Sequence, residues 1–174
     1  MTAVDERPPA TAPAELLRRT LRRHAAGVVV ITAAGPAGPV GLTATSFTSV
    51  SLEPALVSFY LSTTASTAPA VRAADAFTVH LLHRGQEELA RTFARSGVDR
   101  FAGVPWSAGP HGTPLLDGAA ARLTARRVGL HPVGDHLLVV GEVLAADAEG
   151  GEPLVHHDGG FGGFAPGAGE GPWR

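Results

Sequence analysis

The 174-residue chain contains no cysteine, no lysine and no asparagine. Without cysteine it forms no disulfide, carries no thiolate nucleophile and ligates no iron–sulfur cluster of its own. Without lysine it has no amine for Schiff-base chemistry. Long apolar runs are missing too: the longest, such as Gly27 to Ala34 and Leu137 to Val140, are far too short to span a bilayer. No Gly-x-Gly-x-x-Gly joins a strand to a helix, which argues against a Rossmann dinucleotide site, and no nucleophile elbow supports hydrolysis. The eight histidines show no His-x-x-x-His spacing. The adjacent His156 and His157 would point to opposite faces of a strand, so no metal site is expected.

What is present bounds the class. Hydrophobic residues make up 44% and charged residues 17%, with a net charge of −2. This composition fits one globular domain with a substantial core and gives no general attraction to nucleic acid or to an anionic membrane. Residues 1–13 carry Asp5, Glu6, Arg7 and three prolines but no apolar core of a signal peptide. They are expected to be a disordered tail, and the Gly-rich residues 162–174 a flexible one. The folded domain should run over residues 14–161, in a soluble, cytoplasmic protein.

Hydrophobic periodicity predicts an amphipathic helix over Ala14–Ala25, with Arg18, Arg19, Arg22 and Arg23 opposite the leucines. Strands are expected over Val28–Thr32, Val40–Ser49, Ala55–Leu61, Phe77–Leu82, Ala119–Leu130 and His136–Ala146, with a last short element over Pro153–Phe161. Short helices are expected over Ala70–Ala74 and Glu87–Arg95, the first with Ser66 or Thr67 as N-cap and Pro69 in its first turn. Many strands, few helices and hairpin-like links imply a mainly β protein: an antiparallel Greek-key split β-barrel with short accessory helices.

The segment Gly41–Pro54 is the most informative. It places six hydroxyl side chains in a strand-like run that opens on a glycine, holds the small Ala44 and closes on a proline. An ordinary strand with one wet face accounts for alternating Ser and Thr. The small residues would also let a flat ligand approach the backbone, while hydroxyls and edge N–H groups bond a polar rim. On that reading Thr43, Ala44, Thr45 and Ser46 form a docking edge for a planar cofactor. The cluster Ser62–Thr67 precedes a helix start and offers either caps and solvated hydroxyls or an anion site. Asp99-Arg100-Phe101 is either a loop ion pair beside a buried Phe or a guanidinium placed to grip phosphate.

Ala26-Gly27-Val28-Val29-Val30-Ile31-Thr32, then Gly41–Pro54, then Gly134-Asp135-His136 followed by Gly141-Glu142-Val143, resemble the flavin reductase family in order and spacing. The resemblance covers residues 14–161. It implies the FMN-binding split-barrel fold and NAD(P)H-dependent reduction of FMN or FAD, with NADH or NADPH as hydride donor. It implies delivery of reduced flavin to a partner monooxygenase and a homodimer. It places the flavin phosphate at Ser66 and Thr67, with Thr64 next, puts Arg100 and Phe101 near the flavin, and links His136 to nicotinamide. Family members with a Tyr and His near the C-terminus are matched here by His156 and His157, a departure that touches the roof of the flavin pocket. A flavin enzyme acting directly on an organic substrate, or a non-enzymatic flavin-binding module, fits the same fold.

Overall fold

The structure is a computed structural model and describes residues 13–164. In chain order its elements are α1 (Pro13–Leu21), β1 (Ala26–Gly27), β2 (Val29–Gly35), β3 (Gly38–Ala44), β4 (Thr48–Leu52), β5 (Ala55–Ser62) and α2 (Ala68–Ala73). There follow β6 (Ala76–Leu81), α3 (Glu87–Ala94), β7 (Trp106–Ala108), β8 (Pro114–Leu116), β9 (Ala121–Val133), β10 (His136–Ala148), β11 (Val155–His157) and β12 (Gly160–Gly162). No helix among the described residues is long and apolar enough to cross a membrane. The expected tails lie almost wholly outside the described residues; within them, Pro13 opens α1 and Gly162 closes β12.

Seven strands form one antiparallel sheet in the order β3-β2-β6-β9-β10-β5-β4. The two edge strands, β3 and β4, are consecutive in the chain and separated only by Thr45, Ser46 and Phe47. In a flat sheet those edges would stand about 29 Å apart at the usual strand spacing. The link between them reaches at most about 14 Å. The sheet therefore curls until its edges meet, and because β3 and β4 do not pair, the barrel stays split along that seam. The expected split barrel with short helices is the fold found.

Burial follows from this closure. Val29, Ile31 and Ala33 of β2 point inward to Phe59, Phe77, Val79 and Val139. Phe59 and Phe77 meet edge to face with centroids 5.2 Å apart. Gly141 faces Phe77, whose ring would lie 2.4 Å from any Cβ placed there, so β10 needs its glycine to admit that ring. On the outer face, Val28 and Val30 pack with Leu82, Ala90, Phe93, Leu116 and Leu154. Both faces of this stretch are covered, which is why the Val28–Ile31 run has no polar alternation.

The ribbon β7–β8 is fastened to the barrel by polar groups in dry surroundings. Thr32 Oγ1 donates to the Pro114 carbonyl at 2.6 Å, and Thr78 Oγ1 donates to Thr113 Oγ1 at 2.8 Å. The buried His80 ring lies between two strands: Nδ1 is 3.1 Å from the Val30 carbonyl, and Nε2 accepts from the Leu116 N–H at 3.0 Å. Those partners require a neutral ring with its proton on Nδ1. Burial pushes the His80 pKa down to about 4, against the weaker pull of the Val30 carbonyl.

Several expected boundaries move. The strand expected over Val40–Ser49 is two strands, β3 and β4, broken at Thr45–Phe47. The first helix ends at Leu21 rather than Ala25, because its last turn tightens through the Arg23 N–H to Thr20 and His24 N–H to Leu21 bonds. Ala26 and Gly27 then pair with β11. The second helix begins two residues early, at Ala68. The expected loop His131–Asp135 is a two-residue turn, Gly134-Asp135, with β9 running on to Val133; Gly134 has φ +58°, the left-handed region suited to glycine. The last element is a hairpin, β11–β12, and the ribbon β7–β8 carries no sequence signal strong enough to announce it.

The His80 environment makes a stability forecast. A group whose folded pKa lies below its unfolded value of about 6.5 gives full stability above that value and loses it as pH falls toward the folded pKa. Between pH 7 and pH 4.5 this one ring should remove about 2–3 kcal/mol of unfolding free energy. Urea titrations across that range should give a shallower pH dependence for His80→Gln than for the native chain; equal slopes would refute this account.

Candidate active-site cleft

The split seam opens into a cleft of about 390 Å³, within the range usual for small-molecule sites. Its walls come from the end of β3, the 45–46 link, Tyr60 and Ser62 of β5, the 65–67 loop, Phe93 and Ala94 of α3, Ser96, Arg100 and His136.

One side chain ends the β4–β5 ladder beside the seam. The β4–β5 register pairs Thr48 with Ser58, so two residues back Ser46 falls opposite Tyr60. The ladder does not continue there through the Ser46 backbone. Instead Ser46 Oγ accepts from the Tyr60 N–H at 3.0 Å and donates to the Tyr60 carbonyl at 3.4 Å. The hydroxyl thus satisfies both main-chain groups of Tyr60, and the link backbone stays out of the sheet. Thr43 Oγ1 donates to the Ala90 carbonyl at 2.7 Å, tying β3 to α3.

At the opposite wall, Thr67 is 6% exposed, and its Oγ1 has no hydrogen-bond partner among the described residues. It occupies the N-cap position of α2, with Pro69 in the first turn as expected, but its hydroxyl does not cap the helix. An unpaired buried hydroxyl costs about 1–3 kcal/mol, and Thr67 is one of the residues that line the cleft. Beside it, Arg100 donates through Nε to the Arg95 carbonyl at 2.7 Å and through Nη1 to the Gly41 carbonyl at 2.6 Å. No carboxylate pairs with it among the described residues, so the loop ion pair with Asp99 does not form; Asp99 Oδ1 accepts instead from the Phe101 N–H. Burial lowers the Arg100 pKa somewhat, as desolvation of a cation must.

His136 Nδ1 lies 2.7 Å from Asp135 Oδ1. A carboxylate only accepts, so Nδ1 carries the proton and Nε2 is left available. The same hydrogen bond holds the Asp135 carboxyl below its ordinary range. The turn is fixed in place because the Asp135 carbonyl accepts from both the N–H (3.0 Å) and Oγ1 (2.9 Å) of Thr63.

Of the residues expected from sequence, Thr43, Ala44, Thr45, Ser46, Ser66, Thr67, Arg100 and His136 line this one cleft. Thr64 does not line it, and its hydroxyl pairs with Ser62 Oγ at 3.0 Å. Phe101 lies behind the wall, edge to face on Phe93 at 5.1 Å and on Trp106 at 5.6 Å. Gly41 also has a different reason from the one expected. A Cβ there would stand 2.5 Å from the Phe93 ring, so the glycine admits a helix side chain, not a ligand. His156 packs on Phe161 in the β11–β12 hairpin, with Arg91 over the Phe161 ring, and does not line the cleft. No group of three or more His, Cys, Asp or Glu converges on a metal site among the described residues. Tyr60, Phe93, Ala94 and Ser96 line the cleft without having been singled out. Tyr60, within the strand expected over Ala55–Leu61, is 42% exposed.

A family model described as the flavin reductase like domain matches residues 21–165. The chain belongs to the flavin reductase family. It is 46% identical over 148 residues to an NADH:FMN oxidoreductase of Rhodococcus qingshengii, across 82% of this chain and 77% of the relative. It is 39% identical to the reductase component of a 4-nitrophenol 4-monooxygenase/4-nitrocatechol 2-monooxygenase from Rhodococcus opacus, covering 86% of this chain and 80% of that one. Among solved structures it matches the NADH:FAD oxidoreductase of Streptomyces globisporus C-1027, in complex with NAD and FAD fragments. There the TM-score is 0.84 and the identity 39%, over 90% of this chain and 96% of the other. The flavin reductases are thus similar to this chain over nearly all of the described residues, cleft walls included.

Proposed function

We propose that this flavin reductase passes a hydride from NADH to FMN or FAD in the cleft at the barrel seam. The observation that carries the reading is Thr67: a buried hydroxyl without a partner among the described residues, in the wall of a cleft of about 390 Å³ beside a guanidinium that no described carboxylate pairs. Relatives named NADH:FMN oxidoreductase and NADH:FAD oxidoreductase support the same chemistry and favour NADH as donor.

Bound flavin would supply the hydride acceptor and NADH the donor, so the protein contributes placement rather than acid–base groups. Thr67 and Ser66 bond the flavin phosphate, and Arg100 meets its charge with the donors not spent on Arg95 and Gly41. Phe101 acts indirectly, bracing Phe93 in the wall. The backbone at Thr45–Ser46, outside the strand ladders, bonds the polar rim of the ring system. His136, its tautomer set by Asp135, offers Nε2 to the nicotinamide carboxamide.

The chain acts as a homodimer and hands reduced flavin to a separate monooxygenase. The second point rests on the monooxygenase reductase component among its relatives. The first rests on exposed apolar side chains unusual for a lone subunit: Leu16, Leu17 and Leu21 on α1, and Leu52, 92% exposed, on the edge strand β4.

Thr67→Val keeps the shape and removes the hydroxyl. It should weaken FMN binding by about 1.5–3 kcal/mol, the worth of a hydrogen bond to a charged group, and leave riboflavin, which lacks phosphate, unaffected. Titration of both ligands by fluorescence decides: equal losses would place Thr67 outside any phosphate site. His136→Ala should raise the KM for NADH and slow anaerobic flavin reduction while flavin affinity holds. Unchanged nicotinamide kinetics in a stable variant would remove that role. Sedimentation velocity at micromolar concentration should give a dimer, and a flavin-loaded monomer there would refute the assembly.

A further inference from the structure

His136 stands at the first position of β10, directly after the two-residue turn Gly134-Asp135. The hairpin that carries it is long, 13 residues on each side, and its far end is thinly supported. Strand β6 pairs with β9 from Ala121 to Arg126 only. From Val128 to Val133, β9 therefore has β10 as its one strand neighbour among the described residues. On the other side β5 pairs with β10 as far as Ser62, opposite His136, and there the ladder stops. His131 to Asp135 are all exposed. A hairpin tip so placed, with water around it and few packed neighbours, is where local opening begins.

The next residue, Thr63, takes over where the ladder ends. Its N–H donates to the Asp135 carbonyl at 3.0 Å, and its Oγ1 donates to the same oxygen at 2.9 Å. A carbonyl oxygen has two lone pairs and accepts both. One bond would let the peptide unit swing about the donor–acceptor line, whereas two donors from a single residue oppose that swing. Threonine suits the task, since branching at Cβ restricts χ1 and keeps the hydroxyl in one direction. The planar unit held in this way joins Asp135 to His136, so it fixes the point from which the imidazole projects. The ring is then aimed by Asp135 Oδ1, 2.7 Å from Nδ1. Thr63 itself is exposed and does not line the cleft, whereas Ser62 and His136 do.

The loop that follows Thr63 has anchors of its own. The Ala65 N–H donates to the Ser62 carbonyl at 3.1 Å, the Ala68 N–H to Ala65 at 2.9 Å and the Val71 N–H to Thr67 at 3.0 Å. Ala68 and Val71 are buried in the core. Of the two segments that Thr63 joins, the turn is the one that loosens when the hydroxyl is lost.

We infer that Thr63 is a positioning residue for hydride transfer: without touching a ligand, its hydroxyl holds His136 where the nicotinamide must meet it. The inference rests on the reading that His136 places the nicotinamide.

Thr63→Val keeps the branch and the N–H bond and removes only the hydroxyl. In the full chain it should raise the KM for NADH, slow anaerobic flavin reduction and lower kcat/KM by about three- to tenfold, the range spanned by one lost hydrogen bond. FMN affinity and Tm should hold, because the bond lies in water and the 65–67 loop keeps its anchors. Thr63→Ser, which restores the donor, should recover most of the loss. A residue that acts through His136 has no further effect once the ring is gone, so Thr63→Val should cost nothing more in a His136→Ala chain. Native nicotinamide kinetics in Thr63→Val, or the same loss with and without the His136 ring, would overturn the proposal. So would a fall in FMN affinity as large as the kinetic loss, which would assign the hydroxyl to the 65–67 loop. Native NADH kinetics in His136→Ala alone would remove the nicotinamide reading, and this inference with it.

Discussion

The bond pair between Ser46 Oγ and the backbone of Tyr60 is the constraint on which the site depends. Closure of the sheet brings β3 and β4 together through only three residues, and two edge strands so placed would ordinarily zip. A serine whose hydroxyl both accepts and donates completes the hydrogen bonding of Tyr60 without extending the ladder. The barrel closes far enough to bury Phe59, Phe77 and Val139, yet remains unzipped where a ligand must enter. A threonine or alanine at the same point would answer the backbone differently: one adds a branch, the other leaves a donor and an acceptor of Tyr60 unanswered.

Electrostatically the cleft is spare. With no lysine in the chain, the positive charge in its wall comes from Arg100, which two main-chain carbonyls hold in a fixed direction. Pre-orientation lowers the entropy cost of each further bond the guanidinium makes. Arg91, Arg122 and Arg126, by contrast, are spent on Glu87, Asp147 and Glu142. Arg100, with no carboxylate partner among the described residues, lines the cleft.

Much of this was readable from residue order. The hydroxyl-rich run from Gly41, the Ser66-Thr67 pair, Arg100 and His136 are spread over almost a hundred positions, yet they surround one cavity. What failed to show was anything decided by a partner distant in sequence. Gly41 looked like room for a ligand, and its true neighbour is Phe93, some fifty residues on. Ser46 read as one more strand hydroxyl because its role depends on the register of β5. The ribbon β7–β8 consists of two three-residue strands without alternation; it exists because Thr32, Thr78 and His80 reach out of the barrel to hold it. The boundary between Val133 and His136 was missed because Pro132 suggested a loop, whereas the long hairpin simply carries it in a strand.

The double hold of Thr63 on the Asp135 carbonyl couples two loops that lie 72 residues apart in the chain. One loop carries Ser66 and Thr67, the other His136. A body with two grips joined by a rigid crossbar cannot adjust one without carrying the other along. Inserting a residue into either turn would slide both loops in concert, so the distance between them would be conserved while their joint position over the barrel mouth changed. In this chain the spacing between the Ser66-Thr67 loop and the His136 turn is a mechanical property of the scaffold, set by a crosslink that involves none of those three side chains.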